Sequence, residues 1–147
     1  MFAIGEVYLG YNRKVKARDA KLISTSQTAV EVLRSVWDAE TINLKESFKV
    51  LLVSRSNRAI NVYHHSEGSV SSSLVDVRLI VQAALLANAS GIILAHNHPS
   101  GNKYPSDSDT AITNKIRDAA QLFDINVLDH IILTDDDYLS FSDKGLI

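Results

Sequence analysis

The hydrophobic pattern of the chain alternates between short apolar runs and amphipathic stretches of helical period. The runs at 48–54 and 91–95 are nearly continuously apolar, which is typical of strands covered on both faces. Apolar residues recur at helical spacing in three stretches, at 24–40, 76–88 and 106–123. The other predicted strands are 2–18, 58–65, 125–133 and 138–141. Strands alternating with helices, together with a hairpin at 48–65, predict an α/β fold in which helices sandwich a mixed β-sheet.

Composition and charge narrow the class of protein. The 147 residues, 46% hydrophobic and 22% charged, predict a single domain over residues 1–147 with its own core. The absence of cysteine excludes disulfides, thiol nucleophiles and cysteine-bound metals. No apolar run approaches the roughly 18–20 residues that span a bilayer, and Glu6 interrupts the apolar N-terminus where a signal peptide is uncharged. A soluble, cytoplasmic protein without a membrane partner is expected.

The residues that carry chemistry are concentrated at 95–110, where the sequence reads AHNHPSGNKYPSDSDT. His96 and His98 are two residues apart at the end of a predicted strand, so both imidazoles reach the same point in space. Asp109 follows in the first turn of the next predicted helix, where it also fits a capping box with Ser106. Two imidazoles and one carboxylate are a donor set for Zn²⁺ that leaves a fourth position for water.

The spacing His-x-His, seven residues, Ser, two residues, Asp resembles the JAMM motif of the JAB/MPN metalloproteases. The string HNHPSGNKYPS, with LDHIIL at 128–133 and YLSFSDKGLI at 138–147, is similar to the RadC-like branch of that family. The resemblance implies a JAB/MPN-like fold with a cytidine-deaminase-like layout, and one zinc ion per chain held by His96, His98 and Asp109. It also implies that Ser106 donates a hydrogen bond to the oxyanion formed when a zinc-activated water attacks a carbonyl.

Active members of that family use an upstream glutamate as the general base, and its position in this chain is open. The resemblance implies a glutamate on the predicted strand near 58–66, where this sequence has His64. Three candidates follow: His64 itself as a neutral imidazole, Glu67 three residues further along, and Glu6 from the N-terminal strand. If none of them serves, the site is expected to bind metal with weak catalysis.

The leading expectation is therefore a zinc-dependent hydrolase of the peptidase or isopeptidase type, acting on a peptide or protein. The alternative is a catalytically weak or silent metal-binding interaction module. A third interpretation, a DNA-repair-associated accessory protein, follows from the RadC resemblance, but the net charge of −2 gives no general attraction to phosphate. RadC-like proteins often carry a helix-hairpin-helix region that is not expected here, so direct nucleic-acid binding is not expected. His130 is expected to be structural or to support a ligand, and a homo-oligomer stays open.

Overall fold

The computed structural model describes residues 1–68 and 74–147 and is built on a five-stranded mixed sheet with the strand order β2-β1-β3-β4-β5. The strands are β1 (Ser47–Val53), β2 (Ala59–Glu67), β3 (Gly91–Asn97), β4 (Asn126–Leu133) and β5 (Tyr138–Ser140). The helices are α1 (Ser26–Ser35), α2 (Val77–Leu86) and α3 (Asp107–Gln121), with a short 3₁₀ helix at Ala17–Asp19. Strands β3 and β4 run parallel, whereas the other neighbouring pairs are antiparallel.

Each face of the sheet carries its own hydrophobic core, because successive side chains of a strand point to opposite faces. Phe48 and Leu94 belong to the core that packs against α2 and α3. Leu51 and Ile93 belong to the core that packs against α1. Every residue of β1 and β3 is buried, which explains why both strands read as nearly continuous apolar runs. The predicted α/β sandwich around a mixed sheet is confirmed.

The N-terminal segment differs most from the prediction. Residues 1–16 follow an irregular and largely exposed path, so the strand predicted over 2–18 is wrong. A hydrogen bond from the Tyr11 hydroxyl to the Asn61 side chain of β2 connects this segment to the sheet. Alternating apolar residues form a strand only where a neighbouring strand supplies backbone partners, and the sequence pattern does not report whether one is available.

The three helices begin at polar capping residues. Thr25 and Ser106 each form a capping box with the residue three positions later, and Asp76 accepts from the amide of Arg78. Helix α1 ends at Ser35 rather than near residue 40, and Trp37 packs into the core from the following turn. Within the described ranges, none of the helices combines the length and apolarity that a membrane crossing needs.

His96, His98 and Asp109 lie at one edge of the sheet, the edge formed by the end of β3 and the start of β1. Because β1 and β3 are antiparallel, with Phe48 opposite His96, the start of β1 lies beside the end of β3. The chain leaves β3, turns through Gly101 at a φ of 83°, and enters α3 at the same edge. A positive φ of that size is readily adopted by glycine, and it lets the turn return to the sheet within ten residues.

Candidate metal centre

The side chains of His96, His98 and Asp109 converge at this edge. The Nε2 atoms of the two histidines are 2.9 Å apart. Asp109 Oδ1 lies 3.3 Å from His96 Nε2, and its Oδ2 lies 3.3 Å from His98 Nε2. Nitrogen and oxygen ligands of a tetrahedral zinc ion lie roughly 3.3 Å apart. The three side chains are therefore close enough together to share one small divalent cation.

Hydrogen bonding at the far side of one ring supports this donor set. His98 Nδ1 lies 2.6 Å from the Asn102 carbonyl oxygen, which can only accept, so Nδ1 carries a hydrogen. In the neutral ring, Nε2 of His98 therefore presents a lone pair toward His96 and Asp109. Unprotonated imidazole nitrogens beside a carboxylate fit a divalent metal ion, and the identity of that metal is not fixed by the geometry.

Asp109 has two tasks at the start of α3. Its Oδ2 accepts from the Ser106 amide at 2.9 Å, and its own amide donates to Ser106 Oγ at 3.1 Å, which completes the capping box. Burial raises the pKa of Asp109, but hydrogen bonds that His96 and His98 donate when their rings carry a proton on Nε2, together with the bond from the Ser106 amide, hold that pKa well below its usual range. The carboxyl group is therefore ionised at any pH at which the protein would bind a metal.

Glu46, which the sequence analysis did not single out, joins this cluster from the residue just before β1. Its carboxylate and the ring nitrogens of His96 and His98 offer atoms that all lie within 4.8 Å of one another. Burial raises the pKa of Glu46, with His96 and His98 opposing and Asp109 adding to the rise. A carboxylate with a raised pKa beside a metal site is suited to accept and return a proton.

Asn97, the middle residue of the His-x-His segment, fixes the loop that carries Glu46. Its Oδ1 accepts from the amide of Ser47 at 2.8 Å, and its Nδ2 donates to the carbonyl of Lys45 at 2.9 Å. These two contacts lie on either side of Glu46 in the chain. A third bond, from Nδ2 to the carbonyl of Ile42 at 2.7 Å, extends the attachment. The residue between the two histidines thus holds the backbone on both sides of Glu46.

The structure places the three residues predicted as candidate general bases away from the histidine cluster. His64 projects from the opposite face of the sheet, with Nδ1 2.8 Å from Lys49 Nζ. Glu67 pairs with Lys45 at 2.7 Å, and Glu6 lies in the exposed N-terminal segment. The carboxylate that lies beside His96 and His98 is instead that of Glu46, which precedes β1 rather than lying on β2.

His130 of β4 lies behind the candidate ligands and is fully buried. Its Nε2 is 2.7 Å from His96 Nδ1, and its Nδ1 is 2.6 Å from Thr113 Oγ1. The rings of Phe48 and Phe141 pack against it. Burial lowers the pKa of His130 well below its usual value, so the ring is neutral. His130 was predicted to be structural or to support a ligand, and the structure places it in contact with His96 rather than among the three candidate ligands.

An open cleft of about 540 Å³ gives access to the cluster. Glu46, His98, Ser106 and Asp109 line one part of it, and the exposed ring of Tyr104 lines another. Ser106 Oγ accepts the Asp109 amide, so its hydroxyl hydrogen is available for donation into the cleft. The cleft therefore combines candidate metal ligands, one acid and one hydroxyl donor.

Comparison with known proteins gives a consistent assignment. The sequence profile described as the RadC-like JAB domain matches residues 23–146. A UPF0758 protein of Flavobacterium johnsoniae is 37% identical over 94% of this chain and 60% of its own length. A UPF0758 protein of Vibrio atlanticus is 35% identical over 99% of this chain and 63% of its own length. A UPF0758 protein of Pseudoalteromonas translucida is 44% identical over 77% of this chain and 52% of its own length.

The chain thus spans about half to three fifths of the length of these relatives. The matched region contains every candidate ligand, together with Glu46, Asn97 and His130. Sequence profile, mixed-sheet fold and histidine spacing agree. The chain belongs to the RadC-like JAB domain family.

Proposed function

We propose that the protein is a zinc-dependent hydrolase of the peptidase or isopeptidase type. The observation that carries the proposal is the placement of Glu46 beside His96, His98 and Asp109, because it joins a metal-binding donor set to a proton acceptor. The alternative of a silent binding module was based on the lack of an upstream glutamate near 58–66. Glu46 removes that reason.

Each residue of the cluster has a separate task in the proposed reaction. His96, His98 and Asp109 hold the metal ion. A bound Zn²⁺ ion supplies Lewis acidity and lowers the pKa of water to about 7. Glu46 takes the proton of the attacking water on a carboxylate oxygen and passes it to the leaving amine. Ser106 donates its hydroxyl hydrogen to the oxyanion that develops on the carbonyl oxygen.

The cleft supports a peptide or isopeptide as the substrate class. Its open form admits an extended chain, and Tyr104, which is 65% exposed, offers an aromatic surface next to the candidate ligands. Pro99 and Pro105 border the same cleft and limit its backbone movement. An amide carbonyl placed between Glu46 and Ser106 would meet both the proton acceptor and the hydroxyl donor.

The proposal is tested with the full chain, stripped of metal and reloaded with Zn²⁺. Elemental analysis is expected to give about one zinc per chain, and much less for a His96→Ala variant. The loaded protein is then offered an internally quenched peptide library and a lysine isopeptide probe. Zinc binding with chelator-sensitive cleavage of either probe supports the proposal. Zinc binding without cleavage would overturn the hydrolase and favour the silent module, and absence of zinc binding would overturn both.

Zinc affinity is expected to fall as the pH decreases, starting above the ordinary histidine pKa of about 6.5. The hydrogen bond to Asp109, followed by the Asn102 carbonyl, raises the pKa of His98. Zinc must displace the proton on that ring, so affinity falls about tenfold per pH unit for each proton displaced. Competition with a chromophoric chelator between pH 8 and pH 5 measures this, and a constant affinity would argue against histidine ligation.

The stability that this site gives to the metal-free protein is expected to change with pH in the opposite direction. Because the folded pKa of His98 is raised and that of Asp109 is lowered, the His98–Asp109 pair stabilises the fold fully between the unfolded pKa values of about 3.9 for aspartate and 6.5 for histidine, and that contribution is lost as the pH rises through the folded value of His98.

Replacement of Asn97 by alanine is expected to lower kcat about tenfold while leaving one zinc bound per chain. The loop around Glu46 loses three hydrogen bonds, so the acid is less well positioned although the ligands are intact. Stability is expected to fall by about 1–3 kcal/mol, because the freed backbone groups are buried. An Asn43→Ala variant is the control, since Asn43 bonds the exposed Asp135 side chain from the same loop. Equal losses of kcat in both variants would contradict the positioning role.

A further inference from the structure

A continuous chain of hydrogen bonds connects helix α3 to His96 through groups that the proposed reaction does not use. Thr113 Oγ1 lies 2.6 Å from the carbonyl oxygen of Asp109, one helical turn earlier. The same hydroxyl lies 2.6 Å from His130 Nδ1, and His130 Nε2 lies 2.7 Å from His96 Nδ1. Thr113 and His130 are both fully buried, so water does not compete for these bonds.

The contact within α3 determines which group donates and which accepts in each of these hydrogen bonds. A carbonyl oxygen has no hydrogen, so the 2.6 Å contact between Asp109 O and Thr113 Oγ1 needs the hydroxyl hydrogen of Thr113. That hydroxyl has no second hydrogen, so it accepts from His130, whose Nδ1 must therefore be protonated. In a neutral ring, Nε2 of His130 then carries a lone pair.

These hydrogen-bond directions also determine the tautomer of His96, a candidate metal ligand. The lone pair on His130 Nε2 requires a donor, which is His96 Nδ1 at 2.7 Å. With the hydrogen of His96 on Nδ1, its Nε2 is unprotonated and faces His98 and Asp109. If Thr113 donated to His130 instead, two oxygen atoms would be left 2.6 Å apart without a hydrogen between them.

We propose that Thr113 and His130 are positioning residues that hold His96 in the Nδ1–H tautomer, so that its Nε2 is kept ready for the metal ion. The inference rests on the proposed metal site but does not require hydrolysis. Groups that orient a ligand from behind typically change metal affinity about 10–100-fold when they are removed. Asp109 takes part in the same hydrogen-bond series, because its side chain faces His96 Nε2 while its carbonyl oxygen accepts from the Thr113 hydroxyl.

The decisive measurement is the tautomer of His96 in the metal-free protein. Nitrogen-15 NMR at pH 8.5 distinguishes protonated from unprotonated ring nitrogens without any metal or substrate. Wild type and Thr113→Ser are expected to show His96 and His130 with the hydrogen on Nδ1. Thr113→Val, which keeps the shape but loses the hydroxyl, is expected to show His96 with a substantial Nε2–H population. An Nε2–H tautomer of His96 in the wild type would overturn the proposal.

Zinc affinity gives the second readout, with Zn²⁺ itself as the probe. Thr113→Val is expected to bind zinc about 10-fold or more weakly, and Thr113→Ser within about 3-fold of wild type. Thr110→Val is the matched control, because Thr110 lies on α3 and its hydroxyl donates to the Ser106 carbonyl, outside the chain to His96. Similar zinc affinities for Thr113→Val and Thr110→Val would contradict the proposal.

A double substitution tests whether the two residues act through one another. His130→Phe removes the acceptor for His96 Nδ1–H and suits the aromatic surroundings of Phe48 and Phe141. The double variant Thr113→Val/His130→Phe is expected to bind zinc no more weakly than His130→Phe alone, since both substitutions interrupt the same series of hydrogen bonds. Additive losses of zinc affinity would show that the two residues act independently, which would overturn the proposal. If the tautomers agree but no peptide is cleaved, the hydrolase proposal fails while this inference stands.

Discussion

Replacement of Glu46 by glutamine is expected to reduce hydrolysis of any cleaved probe by about 10²–10⁴-fold while the chain still binds zinc. The substitution keeps the size and polarity of the side chain but removes its ability to accept a proton near pH 7. His96, His98 and Asp109 remain to hold the metal ion. The measurements are kcat/KM for the peptide or isopeptide probe and zinc content by elemental analysis, made on the same preparations.

A Glu67→Gln variant is the matched control for this prediction. Glu67 lies only one strand away, is exposed, and pairs with Lys45 rather than with the histidine cluster. Exposed ion pairs of this kind contribute little, so activity within about twofold of wild type is expected. If Glu46→Gln lost zinc together with activity, Glu46 would act as a ligand rather than as the proton acceptor. Equal activity in the two variants would leave no role for Glu46.

The sheet and helices could be predicted from the sequence because their residues are buried in a regular pattern. Strands β1 and β3 are covered on both faces, so their apolar runs are uninterrupted. Asp76 and Ser106 marked the starts of α2 and α3 correctly, because capping depends on residues within one turn. The segment 2–18 failed for the complementary reason, since a strand depends on a distant partner.

The same distinction between local and distant information applies to the site. His96, His98, Ser106 and Asp109 lie within fourteen consecutive positions, so their spacing was readable without knowledge of the fold. Glu46 lies fifty residues before His96, and only the antiparallel pairing of β1 with β3 brings it to the same edge. The register that places Phe48 opposite His96, extended by two residues, places Glu46 opposite His98.

The contacts of Asn97 and Thr113 could not be predicted from the sequence, because no motif or spacing distinguishes either residue. Asn97 stands between the histidines, where a strand alternates, so it was not predicted to face the loop before β1. Thr113 is one of several hydroxyl residues on α3, and its distinction is its position one turn after Asp109. The roles proposed for both residues depend on hydrogen bonds to distant parts of the chain, and such bonds follow from packing rather than from sequence spacing.

Replacement of Asp109 by asparagine is expected to weaken zinc binding by more than about 100-fold, beyond the range typical of groups behind the ligands. Asparagine is a neutral and much poorer zinc ligand than a carboxylate. Its side-chain oxygen can still accept from the Ser106 amide, so the capping box at the start of α3 is retained. Competition with a chromophoric chelator at pH 8 measures the affinity, and circular dichroism of the metal-free variant checks that the fold is kept.

An Asp107→Asn variant separates the loss of a ligand from the loss of a charge at the helix terminus. Asp107 and Asp109 both lie in the first turn of α3, where an acidic side chain stabilises the helix by about 0.3–1 kcal/mol. Both variants therefore lose a similar interaction with the helix dipole, but only Asp109 faces His96 and His98. Zinc affinity is expected to stay within about threefold of wild type in Asp107→Asn. Equal weakening in the two variants would mean that Asp109 contributes its charge from a distance, and that the three side chains do not share one metal ion.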